Sequence, residues 1–179
     1  TKYMIKDNEI LLGHIGRFTY QKNQEFLLDL INKLPSKYKL MMVGDGENFE
    51  NINKMIIDRN LKDRVVLTGI VNNTNEFYSS FDLFVLPSRW EGLPVVGLEA
   101  QANGLYSVMS NNIDKNVNII NKVDFLNIDN IDKWVEVINF IINSKKNINR
   151  EQDTALFDIN GINIEIEADK LEKIYLGKE

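Results

Sequence analysis

Residues 83–104 read LFVLPSRWEGLPVVGLEAQANG, and the order of residue types in this stretch decides the fold. Leu83 to Leu86 is an unbroken apolar run of strand length with no polar face, the pattern of a strand buried on both sides. Pro87 to Pro94 interrupts it with a loop. Val95 to Asn103 then reads as a helix, with Pro94 suited to its first turn and Gly104 placed to end it. Tyr106 to Met109, another strand-like run, follows at once. Strand, loop, helix and strand in that order make a βαβ unit, the building block of a parallel sheet.

The same alternation extends outward in both directions. Upstream, Ile10 to Ile15 predicts a strand ended by Gly16 and Arg17, and Phe26, Leu27, Leu30, Ile31 and Leu34 form a helical stripe that Pro35 closes. Leu40 to Val43 predicts a second strand. Gly44-Asp45-Gly46 turns the chain into a helix carrying Ile52, Met55 and Ile56 that ends near Asn60, with Asp45 expected as its cap. Val65 to Leu67 is a third strand, Gly69 to Asn73 a loop, and Asn75 to Ser80 a short helix turning Phe77 and Phe81 to the core. Downstream, Val123 to Leu126 predicts a sixth strand, after which Asp129 or Asn130 caps an amphipathic helix with Trp134, Val137, Ile138 and Ile141 on one face. Residues 145–153 are polar and expected as a surface loop, and Ile162 to Leu176 offers a last helix with Ile166, Leu171 and Ile174 as apolar points. No internal repeat or domain boundary interrupts the series. The expectation is one α/β domain over residues 1–179, a single Rossmann-like doubly wound parallel sheet whose ligand sits beyond the carboxyl ends of its strands.

Composition narrows the function. A chain of 179 residues that is 44% hydrophobic suits one domain with a real core. Lys and Arg total 21 against 26 Asp and Glu, a net charge of -5, so no basic stripe is available for a nucleic-acid backbone. With no cysteine there is no disulfide, thiolate metal site or thiol nucleophile, which fits a reducing compartment. His14 is the single histidine, so a multi-histidine metal site is impossible, and its place within the first strand reads as a partly buried structural residue. No apolar run approaches the ~20 residues needed to span a bilayer. The chain opens on Thr1, not Met, and is expected to be a piece of a longer protein.

Three segments fall at carboxyl ends of predicted strands and are expected to meet in one crevice. The first, residues 16–22, carries Arg17 and Lys22, which with free helix N–H groups suit a diphosphate, or else are solvated surface cations. The second is Gly44-Asp45-Gly46, which a tight turn explains equally well. In the third, Gly92 permits close backbone approach to a ligand, and Glu91 and Glu99 stand eight residues apart. A chain with 13 glutamates yields about one such pair by chance. Charge complementarity at the helix start for Glu91 and an exposed helix position for Glu99 are the plain alternatives. Trp90 either packs on a ligand or covers the loop.

Four segments, GHIGRFTYQKNQEFLL, LMMVGDGENFE, VVLTGIVNNTNEFYSSFDLFVLPS and RWEGLPVVGLEAQANGL, occur in an order that resembles the C-terminal, donor-binding domain of the group 1 glycosyltransferases, also called glycosyltransferase family 4. The likeness covers about residues 10–110 and is closest in flavour to bacterial capsular and exopolysaccharide enzymes. It implies the C-terminal half of a two-domain, GT-B type enzyme. It also implies that Gly16, Arg17 and Lys22 hold the diphosphate of a nucleotide-sugar, and that Ile70 and Val71 line the base. Gly92, Leu93 and Pro94 contact sugar and phosphate through their backbone. By the same resemblance Glu91 is the catalytic candidate at the donor sugar and the reacting centre, and Glu99 receives the ribose hydroxyls, for which a carboxylate has the acceptors.

What the resemblance implies for function is transfer of a sugar, with retention, from a nucleotide-diphospho-sugar such as a UDP-sugar to an acceptor hydroxyl. No cofactor and no metal is expected, and no Asp-x-Asp string is present. The partners are the donor and a glycan or lipid-linked acceptor held by an N-terminal domain outside this chain, without which transfer is expected to fail. The setting implied is cytoplasmic, with the parent enzyme peripheral at the inner face of the membrane. Two other readings stay open: a non-catalytic nucleotide-binding or interaction module, and a sugar-nucleotide epimerase-like enzyme on the same scaffold. A dehydrogenase is disfavoured because no G-x-G-x-x-G follows the first strand.

Overall fold

The computed structural model describes residue 3, residues 5–144, residue 150, residues 154–159 and residues 161–176. Six strands alternate with helices: β1 (Ile10–Ile15), α1 (Gln24–Lys33), β2 (Tyr38–Val43), α2 (Phe49–Asp58), β3 (Val65–Leu67), α3 (Thr74–Ser80) and β4 (Leu83–Leu86). They continue as α4 (Val95–Ala102), β5 (Ser107–Ser110), a 3-10 turn at Lys115–Val117, β6 (Val123–Leu126), α5 (Ile131–Asn143), α6 (Thr154–Ile159) and α7 (Ile164–Tyr175). All neighbouring strands pair in parallel, in the order β3-β2-β1-β4-β5-β6. This is the doubly wound arrangement that the run of βαβ units leads one to expect, and its order reverses between β1 and β4.

Both faces of the sheet are covered, which is why its strands are built mostly of apolar residues. Leu12, Leu40, Met42, Leu83, Val85 and Val108 point to one side, where α1, α2 and α5 pack, while Leu11, Met41, Val43, Phe84, Leu86 and Met109 point to the other, under α3 and α4. Trp134 of α5 is wholly buried, meets the Phe26 ring edge-on at 5.0 Å and donates its indole N–H to the Asn127 carbonyl at 3.0 Å. Gly13 lets the Phe81 ring lie against β1, for a Cβ there would sit 1.9 Å from that ring.

Several boundaries differ from the sequence expectation for identifiable reasons. β2 begins at Tyr38, because Tyr38 and Lys39 continue the ladder against Ile10 and Leu11. β5 is shifted by one residue, to Ser107–Ser110. Asp45 accepts the amide of its neighbour Gly46 and caps no helix; α2 starts four residues later, at Phe49, with Asn48 before it. In α3 it is Tyr78 that is fully buried, and Phe77 is only partly so. Asn130 is the cap of α5, accepting from the Lys133 amide. The polar stretch 145–153, apart from Arg150, lies outside the described residues, and α6 and the 3-10 turn were not anticipated. The predicted apolar points of the last helix do not reach the core: α7 has no buried residue, and Leu171 and Ile174 are exposed.

His14 marks the place where β1 and β4 part. Their pairing ends at Gly13 and Phe84, and the next β4 carbonyl, that of Val85, is met by a side chain: His14 Nδ1 donates to it at 3.0 Å. Because Nδ1 carries the hydrogen, Nε2 presents its lone pair to the Gln24 amide at 3.3 Å. The ring is wholly buried, not partly as the sequence suggested. Desolvation, opposed by the Val85 bond and reinforced by the Lys22 charge, lowers its pKa from 6.5 to about 4. Since the folded pKa lies below the unfolded one, stability is fully present above 6.5 and declines as the pH falls toward 4, where the unfolded chain takes up a proton that the folded one refuses. Urea denaturation is expected to show a loss of about 1 kcal/mol per pH unit across that window, and His14→Gln is expected to flatten this slope whatever it does to stability at neutral pH.

Candidate functional site

The loops that follow β1, β2, β3 and β4 all lie at the carboxyl edge of the sheet, and backbone hydrogen bonds join them. The Gly16 amide donates to Val43, Phe18 to Asp45, Asn48 to Phe18, and Gly44 to Gly69, each at 3.0 or 3.1 Å. Gly44 has φ +128°, and a Cβ on it would lie 2.2 Å from the Gly16 oxygen; one on Gly46 would lie 2.5 Å from the Phe18 oxygen. These glycines are therefore there for the close crossing of two loops. Between Gly16 and the buried Phe18, the Arg17 side chain is left exposed, and among the described residues no ion pair engages it. Its carbonyl accepts from Gln24 at 3.1 Å, which ties the loop to the start of α1.

The loop after β4 is stitched to the loop after β1. The Arg89 amide donates to Gln21 and the Gln21 side chain donates to Trp90, both at 2.8 Å, while the Asn23 side chain donates to Pro87. Asn23 adopts a left-handed conformation, φ 58°, to deliver α1 at this angle. The Tyr20 and Trp90 rings lie 6.0 Å apart on the rim, with Arg89 stacked on Tyr20. Trp90 is half exposed, so it covers its neighbour Tyr20 and not the loop interior.

This stitching brings two of the sequence candidates into direct contact. Lys22 Nζ is 2.5 Å from Glu91 Oε1, and the wholly buried Ser88 donates to the same oxygen at 2.7 Å. The two side chains are only 16% and 10% exposed, so Lys22 is not a solvated cation and Glu91 does not complement the start of α4. Glu91 Oε2 receives no hydrogen bond from the described residues. Pro94 precedes α4 and offers no side-chain cap, so the first amides of the helix have no side-chain acceptor there. Gly97 lets this helix sit close on β5, where a Cβ would meet Met109 at 2.9 Å. Leu93 is half exposed and Pro94 buried.

Glu99 belongs to a different contact. It is half-buried on the second turn of α4, and its Oε2 accepts the Tyr78 hydroxyl at 2.8 Å; no bond joins it to Arg17 or Lys22. Ile70, 78% exposed, and Val71, on the loop after β3, line an open cleft of about 480 Å³ with Thr68 and with Phe77 of α3. Ser88 and Tyr78 are the partners that sequence reasoning passes over. Ser88 stands three residues before Glu91, which is a detectable spacing, whereas Tyr78 precedes Glu99 by 21 residues and leaves no local sign. Among the described residues no group of three or more potential metal ligands occurs.

Arg17, the Lys22–Glu91 pair and the uncapped start of α4 all lie on segments at the carboxyl edge of the sheet, where the strand order reverses. Residues 1–155 match the model of the family described as glycosyl transferases group 1. The chain belongs to that family. Among curated relatives of this group 1 glycosyltransferase chain, it is 32% identical over 185 residues to the capsular polysaccharide biosynthesis glycosyltransferase CapH of Staphylococcus aureus, covering 97% of this chain and 49% of that protein. It is 29% identical over 180 residues to the UDP-Gal:alpha-D-GlcNAc-diphosphoundecaprenol alpha-1,3-galactosyltransferase of Escherichia coli, covering 96% and 46%. The solved structure of Anabaena HepE in complex with UDP and glucose superposes with a TM-score of 0.78 at 18% identity, over 94% of this chain and 48% of that one, a likeness of fold. The chain thus spans about half the length of these relatives.

The two kinds of glycine in the site make a testable contrast. Gly92 has no left-handed backbone, and a Cβ on it meets nothing within 4 Å, so the fold does not require glycine there. Gly92→Ala is expected to leave the urea midpoint within about 0.5 kcal/mol of wild type, while Gly44→Ala is expected to lose about 2 kcal/mol or more, from strain and the clash with Gly16.

Proposed function

We propose that this chain is the donor-binding half of a retaining glycosyltransferase, which moves a sugar from a nucleotide-diphospho-sugar to an acceptor hydroxyl in the synthesis of a bacterial polysaccharide or glycoconjugate. The observation that carries the reading is the cluster of Arg17, the Lys22–Glu91 pair and the open start of α4 at the sheet's carboxyl edge, in a chain of this family. The name of the S. aureus relative, a capsular polysaccharide enzyme, and the UDP and glucose bound to HepE support the substrate class.

In this reading the diphosphate lies against Arg17, Lys22, the Gly16 backbone and the first amides of α4, which together offset the charge that builds on it as the glycosyl bond breaks. Gly92, Leu93 and Pro94 present backbone to sugar and phosphate, and Ile70 and Val71 flank the base. Donor entry changes the Lys22–Glu91 contact: phosphate oxygens compete for the ammonium, and Glu91, still held by Ser88, turns acceptor capacity toward a sugar hydroxyl beside the reacting carbon. The electron pair of the broken bond stays with the diphosphate, the acceptor oxygen bonds to the anomeric carbon from the same face, and the acceptor's hydroxyl proton passes to the departing diphosphate oxygen. Glu99 takes the ribose hydroxyls. A UDP-sugar is the donor we favour.

The acceptor, a glycan or a lipid-linked saccharide, is assigned to a second domain, as the lipid-linked substrate in the E. coli relative's name supports. We place the parent enzyme in the cytoplasm, peripheral at the inner face of the membrane. No described helix is long and apolar enough to cross a bilayer.

Isothermal titration of this chain with UDP, GDP and UDP-sugars tests the reading. One nucleotide series is expected to bind, and Arg17→Ala and Glu99→Ala, each checked for an unchanged fold, are expected to weaken it about tenfold. Absence of binding at about millimolar ligand, or binding indifferent to both changes, favours a non-catalytic module on this fold. The chain alone is expected to transfer no sugar, and robust transfer in a product assay contradicts the half-site assignment.

A further inference from the structure

Glu99, like Glu91 with Ser88, is held by a buried hydroxyl, but it carries no ion pair among the described residues. Its Oε2 accepts the hydroxyl of Tyr78, a wholly buried residue of α3 whose ring packs on Phe84 and Phe81 at 5.7 and 6.3 Å between centroids. The hydroxyl also lies 3.2 Å from the Val96 carbonyl. A phenol has one proton, and the shorter contact to a charged acceptor takes it. Burial, with the nearby Glu99 charge, pushes the Tyr78 phenol far above the usual tyrosine range, so the donor is present at every physiological pH.

Packing does not require this arrangement. A phenylalanine fills the same space against Phe81 and Phe84, and the Val96 carbonyl alone would satisfy the hydroxyl. What the carboxylate contact adds is a fixed rotamer for a side chain with three free torsions, one oxygen anchored below and Oε1 without a protein partner among the described residues. Two vicinal hydroxyls need acceptors in fixed positions, and a pre-set carboxylate provides them without loss of side-chain freedom on binding.

We propose that Tyr78 is a positioning residue that holds Glu99 toward the vicinal hydroxyls of the donor's ribose, and so makes this site favour a ribonucleoside diphosphate over one lacking those hydroxyls. The proposal rests on the donor reading above. Its test compares UDP with 2′,3′-dideoxy-UDP, by titration calorimetry, on the wild-type chain, Tyr78→Phe, Glu99→Gln and the double variant. Tyr78→Phe is expected to weaken UDP about three- to tenfold and to leave dideoxy-UDP within about twofold. In the Glu99→Gln background the Tyr78 change is expected to add less than about twofold, because the tyrosine acts through the carboxylate. A loss that is equal for both nucleotides, or no loss, overturns the proposal while leaving the donor reading intact. Failure of the wild type to bind UDP overturns both. Should Tyr78→Phe not fold, Glu99→Asp, which draws the charge back from the phenol by about 1.5 Å, takes its place: a loss confined to UDP supports the proposal, and wild-type affinity refutes it.

Discussion

The backbone at Gly44 runs so close to that at Gly16 that no side chain fits between them, and the working edge of the sheet depends on this approach. It allows Gly16 to bond Val43 and Phe18 to bond Asp45, so the loop after β1 is pinned by backbone on the side of β2. On its other side the same loop is pinned to the loop after β4 through Gln21 and Asn23. Arg17 and Lys22 therefore sit on a segment fixed along both flanks, although the segment itself has no regular structure. The loop that carries these cations is ordered by the strands it follows, and Lys22 is held further by its own contact with Glu91.

Charge at this edge of the sheet is set locally, in a protein that is acidic overall. The chain carries -5 overall, yet the carboxylate nearest the cations, Glu91, is neutralised by Lys22 at 2.5 Å in a contact largely withdrawn from solvent. A pair with so little exposure is held far more firmly than a surface ion pair, and Ser88 completes it from below. Arg17 is left as the uncompensated charge. The local field is thus set by a handful of groups within hydrogen-bonding reach, and the net charge, spread over distances where salt screens it, matters little.

The sheet was legible in the sequence because each strand is built around buried apolar residues that stand out as short runs, and β1, β3, β4 and β6 lie where those runs lie. What sequence could not give was anything decided by a contact between distant segments. Tyr38 joins β2 because Ile10 is beside it; Tyr78 is buried more deeply than Phe77, with its hydroxyl on Glu99 of α4; Leu171 and Ile174 of α7 are exposed. The site shows the same division. Arg17, Lys22, Gly92, Glu91 and Glu99 were nameable from their spacing and family likeness, but that Lys22 grips Glu91, or that Glu99 is tethered, follows only from packing. Asp45 shows the converse: a residue type with a strong local preference for capping, placed by the loop crossing where no helix begins.

The frame at this edge is made mostly of main-chain amides and carbonyls, which every residue type except proline supplies. Gly16 to Val43, Phe18 to Asp45, Asn48 to Phe18, Gly44 to Gly69 and Arg89 to Gln21 are all of this kind. Side chains on the outer surface of these loops, Ile70, Leu93 and Trp90 among them, are exposed and carry little of the frame. Substitution at those positions therefore changes the surface of this edge without dismantling the main-chain frame beneath it.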